Sequence, residues 1–233
     1  MELPDFAQFA RLINASFKNK DLLVQAFTHR SYLNENQSFG LGHNERLEFL
    51  GDAVLELVIT EYLYSEYPHK QEGELTSYRA ALVNTISISE AARELHMDNF
   101  LLLSRGEAKD TGRARQSILA NTFESVIGAI YLDQGYQSAK EFILAQLVPK
   151  LEGIVKKQLW RDSKSFFQEK AQEFDGITPS YQLLSETGPD HEKQFTVGLF
   201  IGNKKVAEGN GHSKQEAEQD AAERGLTARG WGR

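Results

Sequence analysis

Residues 44–59 read NERLEFLGDAVLELVI, and the way this string winds decides the fold. At about 100° per residue, Glu45, Glu48, Asp52 and Glu56 fall within a sector of roughly 80° on one side of a helix. Leu47, Leu50, Val54, Leu57 and Val58 fill the opposite side, and Phe49, Leu55 and Ile59 flank the acids. A helix this apolar is expected to be buried over most of its surface. Crowded carboxylates repel one another and lose hydration on burial, so a cation must compensate them or their protonation must shift. A solvated amphipathic face is the alternative reading, and it suits a lone Glu better than four acids on so apolar a helix. A hard divalent metal is the simplest compensator, because carboxylate oxygens are its preferred ligands.

A second polar pair lies far away in sequence. Asn121 and Glu124 stand three apart in SILANTFESVIGAIYL and share a helix face. If the two helices pack together, Glu48, Asp52, Asn121 and Glu124 converge on one metal. Magnesium takes one or two carboxylates, keeps several waters and leaves room for a phosphate. That chemistry fits hydrolysis of a phosphodiester. The chain offers no competing nucleophile: it has no cysteine, no Gly-x-Ser-x-Gly elbow and no Gly-rich phosphate loop ending in Lys-Ser or Lys-Thr. The six histidines are scattered without a His-x-x-x-His pair, which argues against zinc. His29 reads as a structural hydrogen-bonding residue.

The 233 residues allow one large domain or two modest ones. With 40% hydrophobic and 25% charged residues, the composition is that of a soluble globular protein. No run is apolar enough to span a membrane, and the first residues lack the basic-then-apolar order of a secretory signal. With no cysteine to form disulfides, a cytoplasmic location is the expectation. The net charge of −7 weighs against general nucleic-acid binding, which needs Lys and Arg, but does not exclude a local basic patch.

Residues 4–155 carry helical spacing almost throughout. A short apolar helix is expected over 22–27, a long one over 45–67 stopped by Pro68, another over 74–95, then a polar loop over 106–112. Helices over 116–133, closed by Gly135, and over 138–157 complete this part. The pattern then changes. Asp162 is a good N-cap for a helix. Strand-like segments follow at 180–186, 194–201 and 204–208, punctuated by Gly188-Pro189 and Gly202-Asn203. Ser213 caps a last helix. Two domains are expected, 1–157 and 162–231.

NERLEFLGDAVLELVI closely resembles the signature of ribonuclease III. FKNKDLLVQAFTHRSYLNE, GELTSYRAALVN and SILANTFESVIGAIYLD resemble the family's other helices, and the tail resembles its double-stranded RNA-binding domain. The resemblance implies an all-α nuclease domain followed by a small α+β (α-β-β-β-α) RNA-binding domain. It implies a magnesium-dependent endoribonuclease (with Mn2+ as a substitute) that acts on double-stranded RNA as a homodimer, one site per strand. The products would carry 5′-phosphate and 3′-hydroxyl ends with a short 3′ overhang, and rRNA and mRNA would be processed. Glu48, Asp52 and Glu124 become the catalytic acids, with Asn121 as the fourth metal position. Glu45 and Glu72 become auxiliary acids that shape the site. Glu56 matches no catalytic position and reads as a solvated or paired acid.

The family usually carries Asp where this chain has Asn121. An amide oxygen can ligate metal or orient water but brings no charge. The change reads as a working variant, as one that cripples cleavage while sparing RNA binding, or as one introduced to trap a complex. Because three acids remain, cleavage is the expectation, with Asn121 as the place where activity could be weakened.

An A-form duplex is recognised through minor-groove hydroxyls and phosphates. In the tail, Lys164, Gln168 and Glu169 lie on the first helix, and the turn containing His191 is placed to enter the next minor groove. Ser213 and Lys214 open the last helix, whose free N–H groups favour phosphate. Gln215 departs from the family's second Lys, so affinity is expected to be modest and salt-sensitive. In the nuclease part, Arg113 and Arg115 are candidates for the RNA backbone, and Arg79 for the backbone or an internal ion pair. Phe166, Phe167, Phe195 and Phe200 read as core.

Overall fold

The computed structural model describes residues 3–156, 162–189 and 193–231. The chain divides into two compact units, Met1–Lys157 and Gln158–Arg233. Among the described residues the first unit is helical: α1 (Phe6–Leu12), α2 (Lys20–Ala26), α3 (Arg30–Glu35), α4 (Glu45–Glu66), α5 (Glu72–Leu82), α6 (Thr85–Glu94), α7 (Arg113–Gln134) and α8 (Tyr136–Lys156).

Side-chain caps set several boundaries. Asp5 accepts from the amides of Ala7 and Gln8, and Asn19 from that of Asp21. Such caps satisfy amides that the helix itself leaves free. The single helix expected over 74–95 is two, because Asn84 turns extended and its side chain accepts from Ser87 N, starting α6. Gly135, at φ +83°, ends α7 where the sequence places its stop. Asp133, near that end, accepts from the backbone N–H of Lys18 (2.9 Å) and Asn19 (2.8 Å), tying α7 to the approach to α2.

The core gathers around α4 and α7. Leu55, Val58, Ile59, Phe123, Val126 and Ile127 are fully buried. Phe9 and Phe27 meet edge-to-face at 4.8 Å, with Phe6 and Phe100 beside them. Truncating one of these large side chains to Ala would cost about 2–5 kcal/mol. The expectation that Leu57 lies in the core is not met: it is 57% exposed, and Phe49 is 81% exposed. Periodicity separates apolar from polar faces, but α4 has two apolar faces and α7 covers only one.

The second unit contains α9 (Ser163–Asp175), β1 (Ser180–Thr187), β2 (Gln194–Ile201), β3 (Lys204–Gly211) and α10 (Lys214–Ala228). The strands form one antiparallel sheet in the order β1-β2-β3. Both caps stand where the sequence puts them: Asp162 accepts from Ser165 N, and Ser213 from Glu216 N. Phe167, Ala171, Leu199, Ala221, Ala222 and Leu226 form the core, while Phe166 is only partly buried against it. Phe195 and Phe200 are likewise partly buried. Trp231 closes the unit, stacked on Phe174 at 5.4 Å and 5.3 Å from Phe167. Arg229 lies 4.5 Å over the Trp231 ring and binds both carboxylate oxygens of Asp175.

Candidate functional site

The site is built where α4 and α7 touch. Gly51 and Gly128 let the two backbones meet: a Cβ on Gly51 would collide with the carbonyl of Glu124, and one on Gly128 with that of Leu47. The start of α4 is fixed from three directions. The buried Asn44 donates its side-chain amide to Ala26 O at 3.2 Å and its backbone N–H to Thr28 O at 2.9 Å. Ser125 Oγ on α7 is 3.4 Å from Asn44 O and 2.7 Å from Asn121 O. Helical spacing then sets Glu48 and Asp52 on α4 opposite Asn121 and Glu124 on α7.

Their electrostatics show that these groups share one neighbourhood. Burial pushes the Glu124 carboxyl up to about 8, and the charges of Asp52 and Glu48 push the same way. Glu48 is also raised, first by burial and then by Glu45 and Asp52, while a hydrogen bond from the Asn121 side chain opposes the shift. Anions that disfavour one another's charge are a donor set for a divalent cation. Among the described residues, no three His, Asp or Glu side chains close into a ready-made metal cage. Glu48, Asp52, Asn121 and Glu124 are the residues that could hold a divalent cation here. The amide nitrogen of Asn121 is directed to Glu48, which leaves its oxygen for a water or a cation.

Of the outer acids, Glu45 reaches Glu48 electrostatically, whereas Glu72 lies near Thr60 and Tyr64. Glu45 lies 3.7 Å from Arg30 Nη1 and 3.8 Å from His43 Nδ1. Glu72 opens α5, and Thr76 Oγ1 donates to it at 3.2 Å. Glu56 pairs with Arg79 Nε at 2.9 Å, and Arg79 Nη1 also donates to Thr60 at 2.8 Å, so that arginine is held internally. His29 caps α3, with Nδ1 accepting from Ser31 N at 3.3 Å and lying 2.8 Å from Ser31 Oγ. Burial lowers the His29 pKa. Glu107 acts on His29 electrostatically and so joins this corner. The sequence gives no sign of it, because it lies in a polar loop with no periodicity.

In the second unit, Gln168 and Glu169 are exposed on α9. Lys164 pairs with Glu218 at 2.5 Å and lies over the Tyr181 ring at 5.1 Å. Ser213 uses its hydroxyl to cap α10, and Lys214 beside it is exposed. His191 lies outside the described residues. On α7, Arg113 is exposed and engaged with a partner, while Arg115 is half-buried with Nη1 enclosed and unpartnered.

Known proteins share both units. The family model described as Ribonuclease-III-like matches residues 19–151, and the double-stranded RNA binding motif matches 163–228. Ribonuclease 3 of Desulforamulus reducens is 48% identical over 204 residues, covering 88% of this chain and 83% of that one. Ribonuclease 3 of Carboxydothermus hydrogenoformans is 43% identical over 226 residues, covering 97% and 96%. The solved nuclease domain of ribonuclease III from Campylobacter jejuni matches with a TM-score of 0.57 and 38% identity, over 64% of this chain and 97% of that one. With a nuclease model over the helical unit, an RNA-binding motif over the other and relatives spanning nearly the whole length, the chain belongs to the ribonuclease III family of endoribonucleases.

Proposed function

We propose that this protein cuts double-stranded RNA by magnesium-dependent hydrolysis, leaving 5′-phosphate and 3′-hydroxyl ends with a short 3′ overhang. One observation carries the reading: Glu48, Asp52 and Glu124, with Asn121, lie together at the Gly51–Gly128 contact, where burial and the neighbouring acids raise the pKa of Glu124 and of Glu48. Glu48, Asp52 and Glu124 would hold the ion, with the Asn121 oxygen in the fourth position; manganese is the natural substitute. When bound, the metal supplies charge to the phosphoryl oxygens and acidifies its water. The chain's own groups would orient that water; burial and crowding hold Glu124 and Glu48 toward the neutral form, so ion binding and their ionisation are coupled. Glu45, whose charge reaches Glu48, is read as an auxiliary acid; Glu72, which lies beside Thr60 and Tyr64 toward the far end of α4, is kept as an auxiliary acid on the family resemblance alone.

The second unit supplies duplex affinity through α9 and the start of α10, with Gln168, Glu169, Ser213 and Lys214 as its contacts. Lys164 would have to leave Glu218 to join them. His191 remains a proposed contact from the turn, and Arg113 and Arg115 are proposed to meet the RNA backbone beside the acids. The working form is a homodimer, since two strands need two sites. Phe49, Leu57 and Tyr64, at 81%, 57% and 76% exposure, form an apolar stripe on α4 suited to a second copy. A Campylobacter jejuni nuclease-domain structure is described as having a flexible region involved in dimer formation; it is 39% identical, with a TM-score of 0.56, over 61% of this chain and 95% of that one. Among the described residues no helix is long and apolar enough to cross a membrane. Processing of rRNA and mRNA in the cytoplasm is the proposed setting.

The test is cleavage of a long RNA duplex with magnesium by the parent, Glu124→Gln and Asn121→Asp. Cutting by the parent that vanishes in Glu124→Gln supports the reading. An inactive parent restored by Asn121→Asp would instead make this chain a duplex-RNA binder with a silenced site.

A further inference from the structure

The carboxylate of Glu45 stands between two nitrogen groups. Arg30 Nη1 is 3.7 Å from one oxygen, and His43 Nδ1 is 3.8 Å from the other. His43 Nδ1 is enclosed and has no hydrogen-bond partner. A buried polar atom left in that state is unfavourable, so a modest movement that gives it a partner is favoured. The imidazole can turn but not travel, because the backbone on either side of the histidine is held. Gln25 Nε2 donates to its carbonyl at 3.1 Å, and the following residue, Asn44, is anchored to Ala26 and Thr28. Glu45, by contrast, is exposed at the first position of α4 and can swing. Its charge also acts on Glu48, so the direction it takes matters to the inner acids. The other imidazole in this corner, His29, commits its Nδ1 to Ser31, and Glu107 faces His29.

We propose that His43 is a positioning residue for cleavage: its Nδ1–H donates to Glu45 and, together with Arg30, draws that carboxylate outward and away from Glu48. The proposal rests on Glu45 serving as an auxiliary acid. Its recognition partner is the RNA backbone that the outer wall of the site must admit, since a Glu45 turned inward would add negative charge where phosphate approaches. No proton need be transferred; the imidazole orients a neighbour.

The full-length protein is assayed on an RNA duplex with magnesium as the parent, His43→Leu, His43→Asn, Glu45→Ala and the His43→Leu/Glu45→Ala double variant, with melting temperatures read alongside. Asn places an amide nitrogen close to the Nδ1 position. His43→Leu should lower kcat/KM by roughly three- to ten-fold, the range of one hydrogen bond. His43→Asn should recover most of that loss, and in the Glu45→Ala background the effect of His43→Leu should shrink to less than about two-fold. The 15N signal of His43 in the metal-free parent should show a protonated Nδ1. An unprotonated Nδ1, an undiminished loss in the Glu45→Ala background, or no rescue by Asn overturns the proposal. If Glu45→Ala is impaired while His43→Leu is not, Glu45 keeps its auxiliary role and only the positioning falls. If Glu45→Ala cuts at the parent rate, the auxiliary role fails and the positioning fails with it.

Discussion

Gly51 and Gly128 face each other across the contact between α4 and α7 with no room for a side chain on either. The acids at 48, 52 and 124 are neighbours because these two glycines are bare. Gly51→Ala and Gly128→Ala should each cost on the order of 1–3 kcal/mol, read as a lower denaturant midpoint. Cleavage should fall further than the stability loss explains, because the helices must part to admit the methyl group. An alanine variant with parental stability and activity would remove this contact as the organiser of the site.

The shifted carboxyl of Glu124 gives the metal-free protein a pH dependence. With its folded value at about 8 against an ordinary 4.5, the folded state binds more protons than the unfolded state between those values. Stability therefore falls as pH rises through that window, by a few kcal/mol at most, and Glu48 acts in the same direction. Glu124→Gln should flatten the fall and melt higher at pH 8 while failing to cut RNA. Added magnesium should raise the parent's Tm at pH 8 by more than the variant's. A parent Tm that does not change between pH 4.5 and pH 8 would count against the crowding.

Phe49 and Leu57 are exposed enough that charge can be introduced without disturbing the core. If the proposed homodimer uses this stripe, Phe49→Asp and Leu57→Asp should keep the parental helix content, sediment at half the parental mass and lose the part of the Tm that depends on protein concentration. Variants that remain dimeric would place the interface elsewhere.

Much of this was legible in the sequence, and the limits have physical causes. The long helices, the Asp162 and Ser213 caps and the three strands follow from periodicity and cap chemistry. The break at Asn84 was hidden because the apolar spacing runs on through it while the backbone turns. The outward stripe of α4 was hidden because periodicity identifies apolar faces without saying what covers them. For Glu56 the sequence left a solvated or paired acid, and the structure supplies Arg79 as the partner. Glu45 was legible as an acid of α4, but the approach of His43 to it and of Glu107 to His29 had no sequence signal, since His43 and Glu107 lie outside the regular α-helices.

Lys214 is exposed at the first position of α10, where helix N–H groups and its own charge favour phosphate. Lys214→Ala should weaken duplex binding across sequences and lower the slope of log affinity against log salt by about 1. The measurement is a salt titration of binding in calcium, without cleavage. An unchanged slope would take Lys214 out of the contact.

Trp231 and the Arg229–Asp175 pair hold the end of the second unit against α9. Trp231→Ala should destabilise that unit by about 1–3 kcal/mol and speed hydrogen exchange in α9 and α10, leaving α4 and α7 unaffected. Uniform exchange rates across the variant and the parent would show the ring to be an ornament of the surface.

One helix meets incompatible demands on every side. Along α4, Leu55 and Ile59 fill the core, Gly51 admits another backbone, Glu48 and Asp52 face the acid cluster, and Phe49 and Leu57 point outward. Most positions of the helix serve one of these surfaces, and change is freest at exposed positions such as Arg46 and Ala53. Random substitution should therefore be tolerated least in this segment, and an improved variant of the protein should be sought in the loops and in the second unit.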